Sequence, residues 1–474
     1  MVRTQSLPPE LRQQAIEIEA IARAAGLDFF DVVFEMLDAR DVNALAAYTG
    51  FPVRYPSWRF GMEYERLDKG YSWGLSKIYE LVINNDPTYA YLVRSNSKME
   101  QKLVMAHVFG HADFFKHNTW FAPTELRMVD AMADNATRVA RYIDRFGQEE
   151  VERFLDLALA LDNLIDPYLP LREHRKETRG PKPISPMERA RRSFEAASAS
   201  PSRSDAVVEP EPSAFEPTSD VLGFLAEEAD LAEWQSDILR IVRAEAYYFV
   251  PQRMTKIMNE GWASFWHSRI LTRSVLNADE IIDFADCHSG ATATQPGQLN
   301  PYKLGIDLFR YAEDKGLDLF RLRAVHNDVS FIDRVVDEEF AQRSELFLYN
   351  RNQRTGRMEV ADRDWRAIKT QLLAQMASGG APVIELVERD YEGHGELLLR
   401  HVFDGRELQL DQAGETLKQL ASLWKRPCHL ATQSEGTPLR LTSDGLEVSR
   451  VETTEAGEVT ETSSDSEDGE RQAG

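Results

Sequence analysis

The chain has 474 residues, 43% hydrophobic and 28% charged, the proportions of a soluble globular protein long enough for two or three domains. Asp and Glu outnumber Lys and Arg by 78 to 55, and the net charge of -23 argues against nucleic acid and anionic membranes as general partners. The two cysteines, Cys287 and Cys428, lack paired spacing, and no signal-peptide core or long apolar run occurs. A disulfide scaffold, a Cys-based zinc site and a membrane span are therefore not expected, and a cytoplasmic location is.

In chain order, Pro9 to Ala25 and Asp28 to Ala47 carry apolar residues at helical spacing and read as helices. Pro52 to Glu65, rich in aromatics, Pro and Gly, reads as a packed loop over a site. Tyr71 to Val82 reads as an amphipathic helix closed by the turn Asn84-Asn85-Asp86-Pro87, and Thr88 to Val93 as a strand by its aromatic and β-branched content. Ser97, with Glu100 three residues later, signals a capping box at the start of the next helix. Thr124 to Phe146 and Gln148 to Leu161 follow as two more helices.

Residues 171–217, dense in Pro, Ser, Glu and Arg, read as a disordered linker. The linker splits one helical domain, residues 1–170 and 218–335, rather than ending it. Asp220 to Arg273 and Asp279 to Asp286 are helical, His288-Ser289-Gly290 opens a loop leading to Asn300, and Ile306 to Asp314 is helical again. Residues 338–440 read as a smaller α+β C-terminal domain. Its strands are Ser344 to Tyr349, Val383 to Val387, and a hairpin of Leu397 to Phe403 with Glu407 to Leu410; its helices are Asp362 to Met376 and Ala413 to Leu423. Residues 451–474 form an acidic tail of disordered composition.

The chemistry concentrates in two helical segments. His107 and His111 stand four residues apart on one helix face, with Glu100 and Val104 on the same stripe. Glu260 and His267 share a face of a second helix. Two imidazoles and a carboxylate suit one divalent metal ion, zinc first, so the expected ligands are His107, His111 and Glu260 with one position open. His267 and His288 are expected as a further ligand or as polar groups, and Tyr302 and Lys303 as oxyanion or substrate contacts.

Val108 occupies the place where a His-Glu-x-x-His peptidase keeps its catalytic glutamate. A hydrolase built here must take its base from elsewhere, and Glu100, His267 and His288 are the available sources. The plainer reading makes Glu100 a capping residue, the histidine pair a satisfied part of the core, and Trp262, Phe265 and Trp266 core as well. Asp113 and His117 are read as structural. A strand just before the histidine helix, with a free edge to align an extended substrate, would complete a gluzincin-like arrangement. The expected class is thus α+β: a predominantly helical gluzincin-like N-terminal domain with a small sheet, then the C-terminal α+β domain.

Five strings carry a wider likeness: Trp58-Arg59-Phe60-Gly61-Met62-Glu63-Tyr64, Tyr79 to Pro87, His107 to Asn118, Lys256 to His267 and Asn300 to Gly305. Over roughly residues 8–165 and 218–435 the chain resembles the SpoVR family (stage V sporulation protein R, with YcgB-like members outside spore formers). The resemblance implies a cytosolic protein linked to spore cortex formation or, in other organisms, to stress and stationary phase. It also implies a PrkA-like serine kinase and a von Willebrand A-domain protein as partners. It supplies no reaction and no catalytic residues. Two functions stay open: a metal-dependent hydrolase of peptide or peptidoglycan-related amide bonds, and a non-catalytic scaffold or regulator in a kinase-containing complex.

Overall fold

Val32-Val33-Phe34-Glu35-Met36-Leu37 has apolar residues placed to suit either a helix or a strand, and its partner decides between them. In the computed structural model, which describes residues 7–72, 80–179, 215–295, 297–351 and 354–453, it is a strand. Helix α1 (Pro9–Ala24) begins at a proline, as expected, and turns Ala15, Ile18 and Ala22 inward. Strand β1 (Val32–Leu37) alternates buried and half-buried residues, so of the expected helix from Asp28 only α2 (Ala39–Ala47) forms. Of the loop expected over Pro52 to Glu65, residues 52–57 form no helix or strand, while the part from Trp58 lies in helix α3 (Trp58–Ser72). Strand β2 (Glu80–Ile83) replaces the end of the helix expected from Tyr71, whose residues 73–79 lie outside the described residues.

Strand β3 (Thr88–Val93) matches its expected bounds but not its expected role. The sheet order is β1-β3-β2, with β3 parallel to β1 and antiparallel to β2. Both of its edges are therefore paired, and the free edge expected to align a substrate is absent from this strand. Helix α4 (Lys98–His117) follows, opened by the expected capping box: Glu100 N–H donates to Ser97 Oγ at 3.2 Å and Ser97 N–H to Glu100 Oε2 at 2.6 Å. Fifteen of the 20 residues of α4 are buried, which explains why it lacks a continuous polar face.

Helix α5 (Met128–Phe146) starts later than expected because the Thr124 hydroxyl donates to Phe121 O and closes a turn there. Helices α6 (Gln148–Ala160) and α7 (Leu169–Arg179) follow, the latter running into the segment expected as linker. Residues 180–214 of that segment lie outside the described residues. Beyond it come α8 (Val221–Glu228), α9 (Glu233–Met254) and α10 (Lys256–Ile270), which ends in a π-turn, Leu271–Val275.

Helix α11 (Ala278–Ala291) carries straight through His288, where a loop was expected; Asn277 and Glu280 cap its start. Helix α12 (Pro301–Asp314) likewise begins earlier than expected. Its Asn300-Pro301 start, which reads as loop, is an N-cap followed by proline at the first helical position.

After α13 (Leu319–Val325), α14 (Asp328–Val335) and α15 (Glu338–Arg343), strands β4 (Leu348–Arg351) and β5 (Met358–Asp362) form a ribbon ahead of α16 (Trp365–Met376). A five-stranded sheet closes the fold. Its strands are β6 (Ile384–Tyr391), β7 (Glu396–His401), β8 (Cys428–Ser434), β9 (Thr437–Ser443) and β10 (Val448–Glu452), in the order β10-β9-β8-β7-β6. The expected hairpin of Leu397 to Phe403 with Glu407 to Leu410 does not form. Strand β7 pairs antiparallel with β6, residues 407–409 form no strand, and α17 (Leu410–Trp424) is the crossover that lets β7 and β8 run parallel. The sheet also extends past residue 440 to Glu452, while residues 454–474 lie outside the described residues.

One apolar core joins β1, β3, α4, α10, α12 and α14 through residues such as Phe34, Leu92, Phe109, Trp262, Phe309 and Phe331. A second core packs Phe154, Trp234 and Ile238 from the helices against Leu397, Leu399 and Leu417 of the C-terminal sheet layer. The α+β class is as expected, and the terminal sheet shares a core with the helical part. Among the described residues, no helix is long and apolar enough to cross a membrane.

Candidate metal centre

Three helices reach the site because glycines let their backbones touch. A Cβ on Gly110 of α4 would stand 2.6 Å from Ala263 Cα of α10, and one on Gly261 of α10 would stand 2.5 Å from Gly305 Cα of α12. Those separations are below any contact a side-chain carbon tolerates, so α10 lies directly against both neighbours. This close approach brings α4 side chains within ligand distance of Glu260, the residue before Gly261.

The start of α10 is held by Asp328, whose carboxyl oxygens accept from the N–H groups of Ile257 and Met258 at 2.9 Å each. Burial pushes the Asp328 pKa up to about 7, against the lowering effect of those two N–H groups and of Lys256. A carboxyl raised on folding takes up a proton between its unfolded value, roughly 3.9, and its folded value. The native state is thus disfavoured progressively as pH rises from about 4 to 7. Asp328→Asn is expected to flatten the pH dependence of stability across that window, as measured by urea unfolding at several pH values.

His107 Nε2 lies 3.5 Å and His111 Nε2 3.7 Å from Glu260 Oε2. The ligand atoms of the three residues all fall within 4.8 Å of one another. Bonds of about 2.0–2.1 Å in a tetrahedral zinc site set neighbouring ligands about 3.3 Å apart, so the two His–Glu separations lie close to what such an ion requires. Glu260 Oε2 is buried and has no hydrogen-bond partner, a costly state for a carboxylate oxygen unless a cation faces it. Burial works to raise the Glu260 carboxyl pKa, but His107, His111 and Tyr302 outweigh it and hold the group below the ordinary carboxylate value.

The other ring nitrogens are oriented from behind. Asn259 Oδ1 stands 2.9 Å from His111 Nδ1, so an N–H there donates to it and leaves Nε2 as the free lone pair. His107 Nδ1 stands 2.8 Å from His267 Nδ1. For His107 to bind through Nε2, its proton must sit on Nδ1 and be donated to His267. His267 then holds its proton on Nε2, which is 3.4 Å from Nδ1 of His288. Burial lowers the pKa of His111 to about 4 and that of His267 well below the usual imidazole value, so both rings are neutral as ligands and relays require.

The expected site residues thus separate. His107, His111 and Glu260 converge. His267 and His288 form a row behind His107, on the side away from Glu260. Tyr302 hydrogen-bonds Glu260 and stacks on His107 with ring centroids 6.3 Å apart. Lys303, one residue on, is paired with Asp307 at 2.8 Å. The Glu100 carboxylate is engaged by Ser97 at the helix start, seven residues and about 10 Å along the axis from His107. Val108 is wholly buried in the apolar core, as are Trp262, Phe265 and Trp266. Asp113 and His117 make structural contacts, to Arg323 and Trp262 and to Asp28 respectively. Sequence reasoning did not single out Asn259, although it stands beside Glu260, nor the glycines whose helical positions signal close packing.

A family model described as "SpoVR like protein" matches residues 6–381, and one described as "SpoVR-like C-terminal domain" matches residues 382–435. The protein YcgB of Escherichia coli (strain K12), described as uncharacterized, is 30% identical over 480 residues, covering 90% of this chain and 92% of its own length. No solved structure matches the chain.

Proposed function

The chain belongs to the SpoVR-like family, and from that premise we propose that His107, His111 and Glu260 hold one divalent metal ion, zinc by donor chemistry, for hydrolysis of a peptide or peptidoglycan-related amide. The observation that carries this reading is the buried, unpartnered Glu260 Oε2 facing two imidazole nitrogens. A zinc ion there supplies Lewis acidity toward a carbonyl oxygen. Asn259 and His267 orient the two imidazoles, and the Tyr302 hydroxyl, which donates its single proton to Glu260, steadies that carboxylate. About a fifth of the Glu260 side chain stays accessible, so the cluster lies just below the surface. The ligand set is gluzincin-like in composition, while the strand topology is not, since β3 is paired on both sides.

One observation favours a second reading. Val108 is buried in the core and Glu100 is engaged at the helix start, so neither the usual peptidase position nor Glu100 supplies a general base beside the ligands. On that reading the metal is structural, and the protein is a scaffold or regulator working with a PrkA-like serine kinase and a von Willebrand A-domain protein in a stress or sporulation response.

Metal analysis of protein purified without chelator tests the site. About one equivalent of zinc is expected in the wild type, falling to background in His107→Ala and Glu260→Ala proteins that keep their circular dichroism. A metal-free wild type, or unchanged content in both variants, would overturn it. Amide hydrolysis abolished by chelation and restored by zinc would separate the enzyme from the scaffold.

A further inference from the structure

On the far side of the histidine row, α10, the π-turn, α11 and α12 line an open cleft of about 300 Å³ that includes Arg269, Arg273, His288 and Arg310. Three guanidinium groups in one cleft are notable in a chain of net charge -23. Their counterions are already assigned. Glu313, also in the cleft, takes Arg269 through contacts of 2.8 and 2.6 Å, and Asp307, one turn before Arg310, takes Lys303. Among the described residues, Arg273 and Arg310 have no hydrogen-bond or ion-pair partner.

The π-turn matters here. Its wider backbone, with Leu276 N–H reaching Leu271 O at 3.1 Å, sets Arg273 at the cleft as α10 ends. Arg269 is also fixed by stacking, its guanidinium 4.6 Å from the Phe265 ring centroid. With the His107–His267–His288 row in the protonation order given above, His288 accepts at Nδ1 and keeps its N–H at Nε2. That N–H is a donor that the row itself does not use.

We propose that this cleft binds an oxyanion, a phosphate or carboxylate group of a small ligand, through Arg273 and Arg310, with Arg269 and His288 completing the wall. Forked guanidinium donors match the paired oxygens of either group, and a second Arg makes the pocket positive where the chain as a whole is not. The site is separate from the metal ligands, and its two chief donors, Arg273 and Arg310, do not depend on the metal reading, on which only the tautomer of His288 rests. It gives the outer end of the histidine row an anionic neighbour.

Isothermal titration of the full chain with inorganic phosphate, and separately with glutarate, at constant ionic strength tests this. One saturable site is expected for at least one of the two anions, and the preferred anion identifies the chemical source. Binding should weaken by about tenfold or more in an Arg273→Gln/Arg310→Gln double variant. It should be unchanged in Arg153→Gln, a surface control on α6, and unchanged after chelator treatment. Absence of saturable binding by either anion, equal binding in the double variant, or loss of binding on chelation would each overturn the proposal, the last by placing the anion at the metal ligands instead.

Discussion

Asp113→Ala is expected to lower folding stability by about 3–5 kcal/mol, the cost of leaving a buried charge without its partner. Asp113 is inaccessible to solvent, and its carboxylate accepts from Arg323 Nε at 2.9 Å and Nη2 at 3.1 Å, from Trp262 Nε1 at 2.8 Å and from the Asp28 N–H at 2.9 Å. Those contacts tie α4 to α13, to α10 and to the segment leading into β1. Truncation would strand the Arg323 guanidinium, whose side chain is 6% exposed, and would orphan the indole and amide donors as well. The check is urea unfolding followed by circular dichroism. A loss under about 1 kcal/mol would mean that Arg323 reaches water or another acceptor on its own. A double variant, Asp113→Leu with Arg323→Met, should recover most of the loss, because it removes both charges together.

With the metal ion proposed above held by His107, His111 and Glu260, Gly261→Val is expected to damage stability and metal content at once. A Cβ at position 261 would lie 2.5 Å from the backbone of Gly305, and backbone cannot swing aside as a flexible side chain can. The overpacking cost should reach or exceed the upper end of the usual 1–3 kcal/mol range, because α10 and α12 must separate. As they separate, Glu260 shifts relative to His107 and His111, and Tyr302 on α12 shifts relative to Glu260. Bound metal should fall even in the fraction that remains folded, which metal analysis after size-exclusion chromatography would show. Gly290→Ala is the control: nothing lies within 4 Å of a Cβ there, so a neutral or slightly stabilising result is expected. Full metal content in folded Gly261→Val protein would mean that the helix contact does not set the ligand geometry.

Where a local signal has a local cause, sequence and structure agree. The Ser97/Glu100 capping box needs residues three apart on one chain, and it forms as read. Strand β3 is defined by its own β-branched and aromatic content, and its bounds match residue for residue. The disagreements share a different cause. Strand β1 is extended because it pairs with β3, more than 50 residues away, and a pattern ambiguous in isolation takes the form its partner imposes. The closing strands β8 to β10, rich in Ser, Thr and Arg, have too little apolar alternation to stand out without their neighbours. The Ser-Gly after His288 reads as the start of a loop, yet tolerance of glycine near a helix end carries α11 past it.

The site divides along the same line. Spacing alone puts His107 and His111 on one helix face, and residue chemistry alone makes Glu260 their most suitable partner, since both follow from helical period and ligand preference. The long strings around them also carry the family likeness without any coordinates. Distance is another matter. Glu100 shares the histidine face by period but sits about 10 Å away along the axis, whereas Glu260, more than 140 residues distant in sequence, lies 3.5 Å from His107 Nε2. That convergence is decided by backbone contacts at Gly110 and Gly261, and the placement of His267 and His288 behind His107, not beside Glu260, by the crossing of α4, α10 and α11. Periodicity fixes the direction of a side chain from its own helix, but the separation between two helices depends on what each meets in the other, and only the folded chain brings those surfaces together.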